Sequence, residues 1–151
     1  MGDFSFLNKQ LTSVTIPSSV RIIMYAAFWE CLLESVTISK GVTSIGEYAF
    51  QDNKLVGVSI PDSVTWIGHG AFYHNPPLTS VIVEGDASTI ADDAFESLIT
   101  MIAFDPSPAK TYASGNGYEF LNILSLRSQL FSKRRIRGKA SSFNKGNGSC
   151  S

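Results

Sequence analysis

A stacked-coil solenoid of about five coils, with short parallel strands joined by short helical turns, is the fold this sequence predicts. Two observations carry it. Leu11, Leu33, Leu55 and Leu78 recur at spacings of 22, 22 and 23 residues, and each heads the same apolar pattern. Inside each copy, apolar and polar residues alternate over one short run, as in a strand with one buried face.

The columns run in register through four copies. Val14, Val36, Val58 and Val81 lie three residues after the leucine, and Ile16, Ile38, Ile60 and Val83 five after it. Val20, Val42, Val64 and Ala87 follow at nine, and Ile23, Ile45, Ile67 and Ile90 at twelve. The pairs Ala27-Phe28, Ala49-Phe50, Ala71-Phe72 and Ala94-Phe95 close each copy. Self-similarity of this period marks a repeat architecture, because one copy alone cannot bury its apolar face.

Each segment has a local reason. Val14-Thr15-Ile16 and its copies read as strands. Pro17 and Pro61 end them, since proline donates nothing to a ladder. Ser18-Ser19 and Asp62-Ser63 are turn residues. Val42-Thr43-Ser44-Ile45 and its copies are candidates for a second short strand, broken by Gly46 and Gly68. Glu47-Tyr48-Ala49-Phe50 reads as one helical or 3₁₀ turn with its phenylalanine inward. A degenerate fifth strand is expected with Ile99, Ile102 and Phe104 in the apolar columns.

The pattern Leu-x-x-Val-x-Ile resembles the leucine-rich-repeat strand. The fuller segments "LVGVSIPDSVTWIGHGAF" and "LESVTISKGVTSIGEYAF" resemble the BspA-type leucine-rich repeat over about residues 1–123. The resemblance implies a leucine-rich-repeat solenoid and a non-enzymatic scaffold that binds protein or glycan, a piece of a larger cell-surface adhesion-type protein. It also implies a cell-surface or secreted location, whereas Met1-Gly2-Asp3-Phe4 carries no signal-peptide pattern. The alternative is a purely structural spacer with no ligand of its own. The stretch "SPAKTYASGNGYEFLNI" resembles the family's array terminus, with a helix around Ala109–Ser114 and a last strand at Tyr118–Ile123. Residues 1–6 align with 45–50, so the sequence opens within a repeat, and an uncapped N-terminal edge is expected to favour self-association.

Charge divides the chain. Residues 1–123 hold five basic and 13 acidic residues, a net of 5 − 13 = −8, and residues 124–151 hold seven basic residues and no acid. That step sets the expected end of the solenoid domain at 123, with a basic, disordered tail at 124–151. Lys133-Arg134-Arg135-Ile136-Arg137 leaves nucleic-acid contact as a minor alternative, so no nucleic-acid partner is expected. No apolar run approaches the ~20 residues that span a bilayer.

No catalytic residue, cofactor or metal site is expected. His69 and His74 fall in polar columns and read as surface residues. Cys31 shares its column with Asn53 and Asn75, where a small buried residue or a backbone-bonding Asn suits a tight turn. Asp92-Asp93 sits at the start of a turn, where a helix dipole favours acid. There is no nucleophile elbow, P-loop or dinucleotide fingerprint. Asn147-Gly148-Ser149 is a formal glycosylation triplet only.

The candidate protein-binding face is the outward side of the strands. Stacking places Ser13, Thr15, Ser35, Thr37, Gly57, Ser59, Ser80 and Ile82 in two columns on one surface. Trp29, Tyr48, Trp66 and Tyr73 are candidates for a second, aromatic patch.

Overall fold

A computed structural model of the chain describes residues 1–129 except 86, 88, 97 and 98. The greater part of the basic tail, from residue 130 onward, lies outside the described residues, as does the triplet at Asn147.

Alternation becomes strand where expected, each run one residue longer than the apolar core of the repeat. The long strands are β1 (Ser13–Ile16), β3 (Ser35–Ile38), β5 (Gly57–Ile60), β7 (Ser80–Val83) and β9 (Thr100–Ala103). Between them lie two-residue strands, β2 (Ile22–Ile23), β4 (Ser44–Ile45), β6 (Trp66–Ile67) and β8 (Thr89–Ile90). A helix, α1 (Pro108–Gly115), and a last strand, β10 (Glu119–Asn122), close the array. All pairings are parallel. The short strands form one sheet in the order β2-β4-β6-β8, and the long strands form β1-β3 and β5-β7-β9-β10. The result is a parallel solenoid of about five coils with two sheet faces.

The core is the column set read from the sequence. Phe28, Phe50, Phe72 and Phe95 are buried, as are Leu33, Leu55, Leu78, Ile45 and Ile67. The four rings and Phe6 form one continuous stack, with successive centroids 5.0, 5.3, 5.3 and 5.2 Å apart and interplanar angles of 12° or less. Those separations are close to the ~4.8 Å spacing of neighbouring strands, so one ring per coil fills one layer. Alanine before each phenylalanine is buried too, which lets the turns approach.

The turns differ from the expected helical ones. Tyr48 has φ 56° and Asp52 φ 55°, and their equivalents Ala26, Glu30 and His74 are also left-handed. The segments are hydrogen-bonded turns: Phe28 N–H donates to Ala49 O (2.8 Å) and Phe50 N–H to Ala71 O (2.8 Å), so coil bonds to coil. A helix would turn those donors toward its own carbonyls. Gly70, with φ 57°, takes the place of Tyr48 one coil on, and the Tyr48 ring leaves no room there for a Cβ.

The fifth strand corrects the sequence reading. Ser80 pairs with Thr100 and Ile82 with Ile102, a step of 20 residues where the preceding step, Gly57 to Ser80, is 23. Met101 and Ala103 are therefore buried, while Ile102 is half-buried and Phe104 exposed. A one-residue slip exchanges the faces of a strand. Assigning Ile102 and Phe104 to the columns of Val81 and Val83 assumed a step of 21 residues, one more than the observed step. Ile99 is buried as expected.

The cap is built from specific donors. Ser107 accepts the Lys110 N–H (3.2 Å) at the N-cap of α1, and Pro108 sits in its first turn, where its missing N–H costs nothing. Tyr112 packs edge-on to Phe95 (6.2 Å), ending the ring stack. The Tyr112 hydroxyl donates to Asp92 O (3.1 Å) and the Tyr118 hydroxyl to Phe95 O (3.0 Å), satisfying backbone acceptors of the last coil. Burial pushes both phenols up from their ordinary value, so they stay protonated donors. Residues 123–129, just past the expected domain boundary, are helical.

Because Phe50 is fully buried between two rings and Phe6 is 37% exposed, Phe50→Ala is expected to cost about 3–5 kcal/mol and Phe6→Ala distinctly less. Urea unfolding of the two variants measures this, and equal losses would show that the stack does not carry the stability assigned to it.

Candidate binding face

Parallel pairing turns the outward strand positions into two straight columns. The first runs Ser13, Ser35, Gly57, Ser80, Thr100 and Glu119, and the second runs Thr15, Thr37, Ser59, Ile82, Ile102 and Leu121. The ladder is interrupted between β3 and β5, although these strands pack side by side. Ser13, Thr15, Ser35, Thr37, Gly57 and Ile82 are exposed, and Ser59 and Ser80 half-exposed, so every candidate residue lies on the outer surface.

The chemistry changes along the face. Its first coils present hydroxyls only. From β7 onward the second column becomes apolar, and carboxylates appear beside it. The Ser59 hydroxyl donates to Glu84 Oε1 (2.8 Å), and the Thr100 hydroxyl to Glu119 Oε2 (2.8 Å). Lys40 Nζ pairs with Asp62 (3.0 Å), and that hydrogen bond and charge hold the ammonium above its ordinary value. A groove of about 500 Å³ opens at this end. Ile82, Ile102 and Phe104 line it, with Ile123 and Leu126 of the 123–129 helix beside them. Lys40, Asp62, Glu84 and Arg127 complete its lining.

Ile102, Phe104, Leu121 and the helix residues were missed as face residues. The signal for the first two was the 20-residue step, which the regular spacing upstream concealed. The signal for Leu126 was weak, since it sits in a basic stretch with no repeat pattern.

The four aromatic candidates do not converge. Trp29 donates its indole N–H to Asp52 (2.7 Å), and Tyr73 lies beside His74. Tyr48 packs edge-on to Tyr25, which meets Phe4 in turn (5.6 and 5.2 Å). Trp66 belongs to the other sheet and lies over Gly68.

The Cys31 column is a set of buried backbone clamps. Asn53 Oδ1 accepts the Cys31 and Leu33 N–H groups (3.2 and 2.8 Å), and its amide donates to the Phe28 and Phe50 carbonyls (2.8 and 3.0 Å). Asn75 repeats this on Leu55, Phe50 and Phe72. Cys31 occupies the same position one coil earlier, its thiol donating to Phe6 O (2.7 Å). Burial pushes that thiol up from its ordinary value, which suits a structural donor and not a nucleophile.

Both histidines are exposed, each against a carboxylate of a neighbouring coil: His69 on Asp93 (2.8 Å) and His74 on Asp52. Asp92-Asp93 lies in the turn before Phe95, with Asp92 contributing its carbonyl to the Tyr112 bond. Among the described residues, no group of three or more metal-ligating side chains comes together, and no helix is long and apolar enough to cross a membrane.

The repeat geometry matches a known family along most of the chain. A model of the BspA type leucine rich repeat region matches residues 1–112 in six copies. The chain belongs to this family. Solved structures agree on the fold. One is a leucine-rich repeat protein from Bacteroides ovatus ATCC 8483, at 24% identity and TM-score 0.50, with 70% of this chain and 37% of that chain covered. Another is the pneumococcal vaccine antigen PcpA, at 17% identity and TM-score 0.61, with 80% of this chain and 38% of that one covered. This BspA-type chain thus spans less than two-fifths of either. No curated protein matches it.

The His74–Asp52 pair gives the solenoid a pH dependence of known sign. The hydrogen bond and charge of Asp52 raise His74 above its ordinary 6.5, so its contribution is present below that value and lost as pH rises through the raised one. Partial burial alone would lift Asp52, but the bonds from His74 and Trp29 outweigh it and leave the carboxyl below its ordinary 3.8. Its contribution is present above 3.8 and fades only as pH falls through the lowered value. The wild-type melting temperature is expected to fall slightly from pH 6 to 8, a fall that His74→Gln reduces. Parallel wild-type and variant curves would contradict the pairing.

Proposed function

We propose that this chain is a non-enzymatic binding scaffold whose long-strand face meets a protein partner, as part of a larger cell-surface adhesion-type protein. The observation that carries the reading is the turn of the second column from hydroxyls to Ile82, Ile102 and Leu121 beside an open groove. Protein interfaces concentrate their energy in a few apolar anchors surrounded by polar residues, and this end of the face has that composition. Family membership supports a repeat scaffold and leaves the partner open. A glycan is the weaker reading, because the exposed aromatic rings are dispersed and not gathered on the face.

The size of the face bounds its strength. Six strands at ~4.8 Å span about 24 Å, and a strand width of roughly 10–17 Å gives about 250–400 Å² in projection. A standard specific interface uses ~800 Å² on each partner. A single copy is therefore expected to bind in the micromolar range or weaker.

Surface-immobilised extracellular-matrix proteins and glycans, screened against the full chain, test the proposal. The expected result is a protein partner whose affinity falls at least about tenfold, roughly 1.4 kcal/mol, in Ile82→Arg, with folding intact. A partner indifferent to both Ile82→Arg and Thr37→Arg would remove the face from the account. Absence of any partner would favour the spacer.

A further inference from the structure

We infer that the cleft between the cap helix α1 and the edge strand β8 is a second binding site, for a short neutral oligosaccharide. It is built on the short-strand sheet, so it stands or falls apart from the long-strand face.

Two walls make the cleft. The short-strand sheet ends at β8 among the described residues, and α1 packs against β8 and β9. The helix turns Pro108, Thr111, Tyr112 and Gly115 to the cleft, the spacing of one helical face. Its floor is fixed, because the buried Tyr112 donates its hydroxyl to Asp92 O on the opposite wall (3.1 Å). The space is about 810 Å³. That lies toward the upper end of the ~300–1,000 Å³ of small-molecule sites, which suits an oligosaccharide better than a single ring. A Cβ built on Gly115 meets nothing within 4 Å, so the solenoid itself leaves that wall open.

Polar groups are left free to meet a ligand. The Thr89 and Ala91 N–H groups donate to Thr65 O and Ile67 O on β6 (3.1 and 3.0 Å). Peptide groups alternate along a strand, so the N–H and C=O of Ile90, between them, face away from β6 and into the cleft. Asp92 is exposed and forms no salt bridge among the described residues. Asn116, the C-cap of α1, donates its side-chain amide to Tyr112 O (3.0 Å), which leaves its Oδ1 to accept. The exposed hydroxyls of Thr89 and Thr111 complete the rim.

The lining selects the ligand. Acceptors predominate and no Lys, Arg or His is among the lining residues, so a phosphate, sulfate or carboxylate finds no counter-charge. One exposed carboxylate holds a cationic group only weakly in water. Strand addition by a peptide needs a run of free backbone groups, and two-residue β8 offers those of Ile90. A neutral sugar fits: its hydroxyls donate to the carboxylate, amide and backbone oxygens, and its C–H faces lie on Ile90 and the Pro108 ring. Trp66 adds an aromatic surface that the long-strand face lacks. It pairs in register with Thr89, on the same side of the sheet, and its half-buried indole lies over Gly68.

Saturation-transfer NMR with the full chain tests this. The neutral probes are maltotriose, cellotriose and triacetylchitotriose; a hyaluronan oligosaccharide is the anionic probe and trilysine the cationic peptide. Transfer to at least one neutral trisaccharide is expected, with little or none to the charged probes. Gly115→Trp fills the cleft at a helical position where tryptophan is no worse a helix former than glycine. It is expected to abolish transfer with the melting temperature kept. Asp92→Asn, which removes a charged acceptor, is expected to weaken binding at least about tenfold; should Gly115→Trp fail to fold, Asp92→Asn decides alone. Ile82→Arg, on the long-strand face, is expected to change nothing here, which separates failure of this site from failure of that face. No transfer to any neutral probe, a preference for hyaluronan or trilysine, or binding indifferent to a folded Gly115→Trp would each overturn the inference.

Discussion

The stack of phenylalanine rings is the constraint on which the rest of this solenoid depends. One ring per coil, at 5.0–5.3 Å from the next, ties the turns to the same rise as the strands. If the turns advanced by a different amount, the ladders on the two sheets would shear. Small residues before each ring, left-handed backbone after it and the buried amides of Asn53 and Asn75 all serve that spacing. Each amide bridges the carbonyls of two successive phenylalanines, so ring stacking and hydrogen bonding act on the same residues. Removing either leaves the other with a void or with unpaired buried groups.

The two ends of the stack illustrate the same constraint. At the C-terminal end, Tyr112 supplies the ring edge and Tyr112 and Tyr118 supply hydroxyls to backbone carbonyls of the last coil. At the other end, Phe6 covers Phe28 with one face and exposes the other, and the Cys31 thiol replaces the amide on Phe6 O. The strand face inherits its straight columns from this regularity, and its second column changes from hydroxyl to apolar at β7, one coil before the shortened step into the fifth strand.

Much of this was legible in the residues because each column repeats four times, and a column held through four coils reports a shared environment. Strands, core rings and the outward position of Ser13 through Ile82 follow from that alone, whereas the cap helix was expected from the resemblance of its segment to the family's array terminus. The fifth strand was misread because a single shortened coil offers no second copy to reveal its period. The turns were misread because left-handed residues such as Asp52 and His74 are not glycine, so the chain gives little sign of them. The groove depends on Leu126 returning to the strand face, a long-range contact with no periodic signature. The pairing of Trp29 with Asp52, a coil apart, was hidden for the same reason.

Coupling between adjacent rings tests the central claim most directly. A double-mutant cycle would combine Phe50→Leu with Phe72→Leu, whose rings stack at 5.3 Å, and separately Phe28→Leu with Phe95→Leu, which two other rings divide. Urea unfolding should give a coupling of about 0.5–1.5 kcal/mol for the stacked pair and additivity within ~0.3–0.5 kcal/mol for the separated one. Additivity in both cycles would mean that the rings merely fill space, and that the coils owe their spacing to something else.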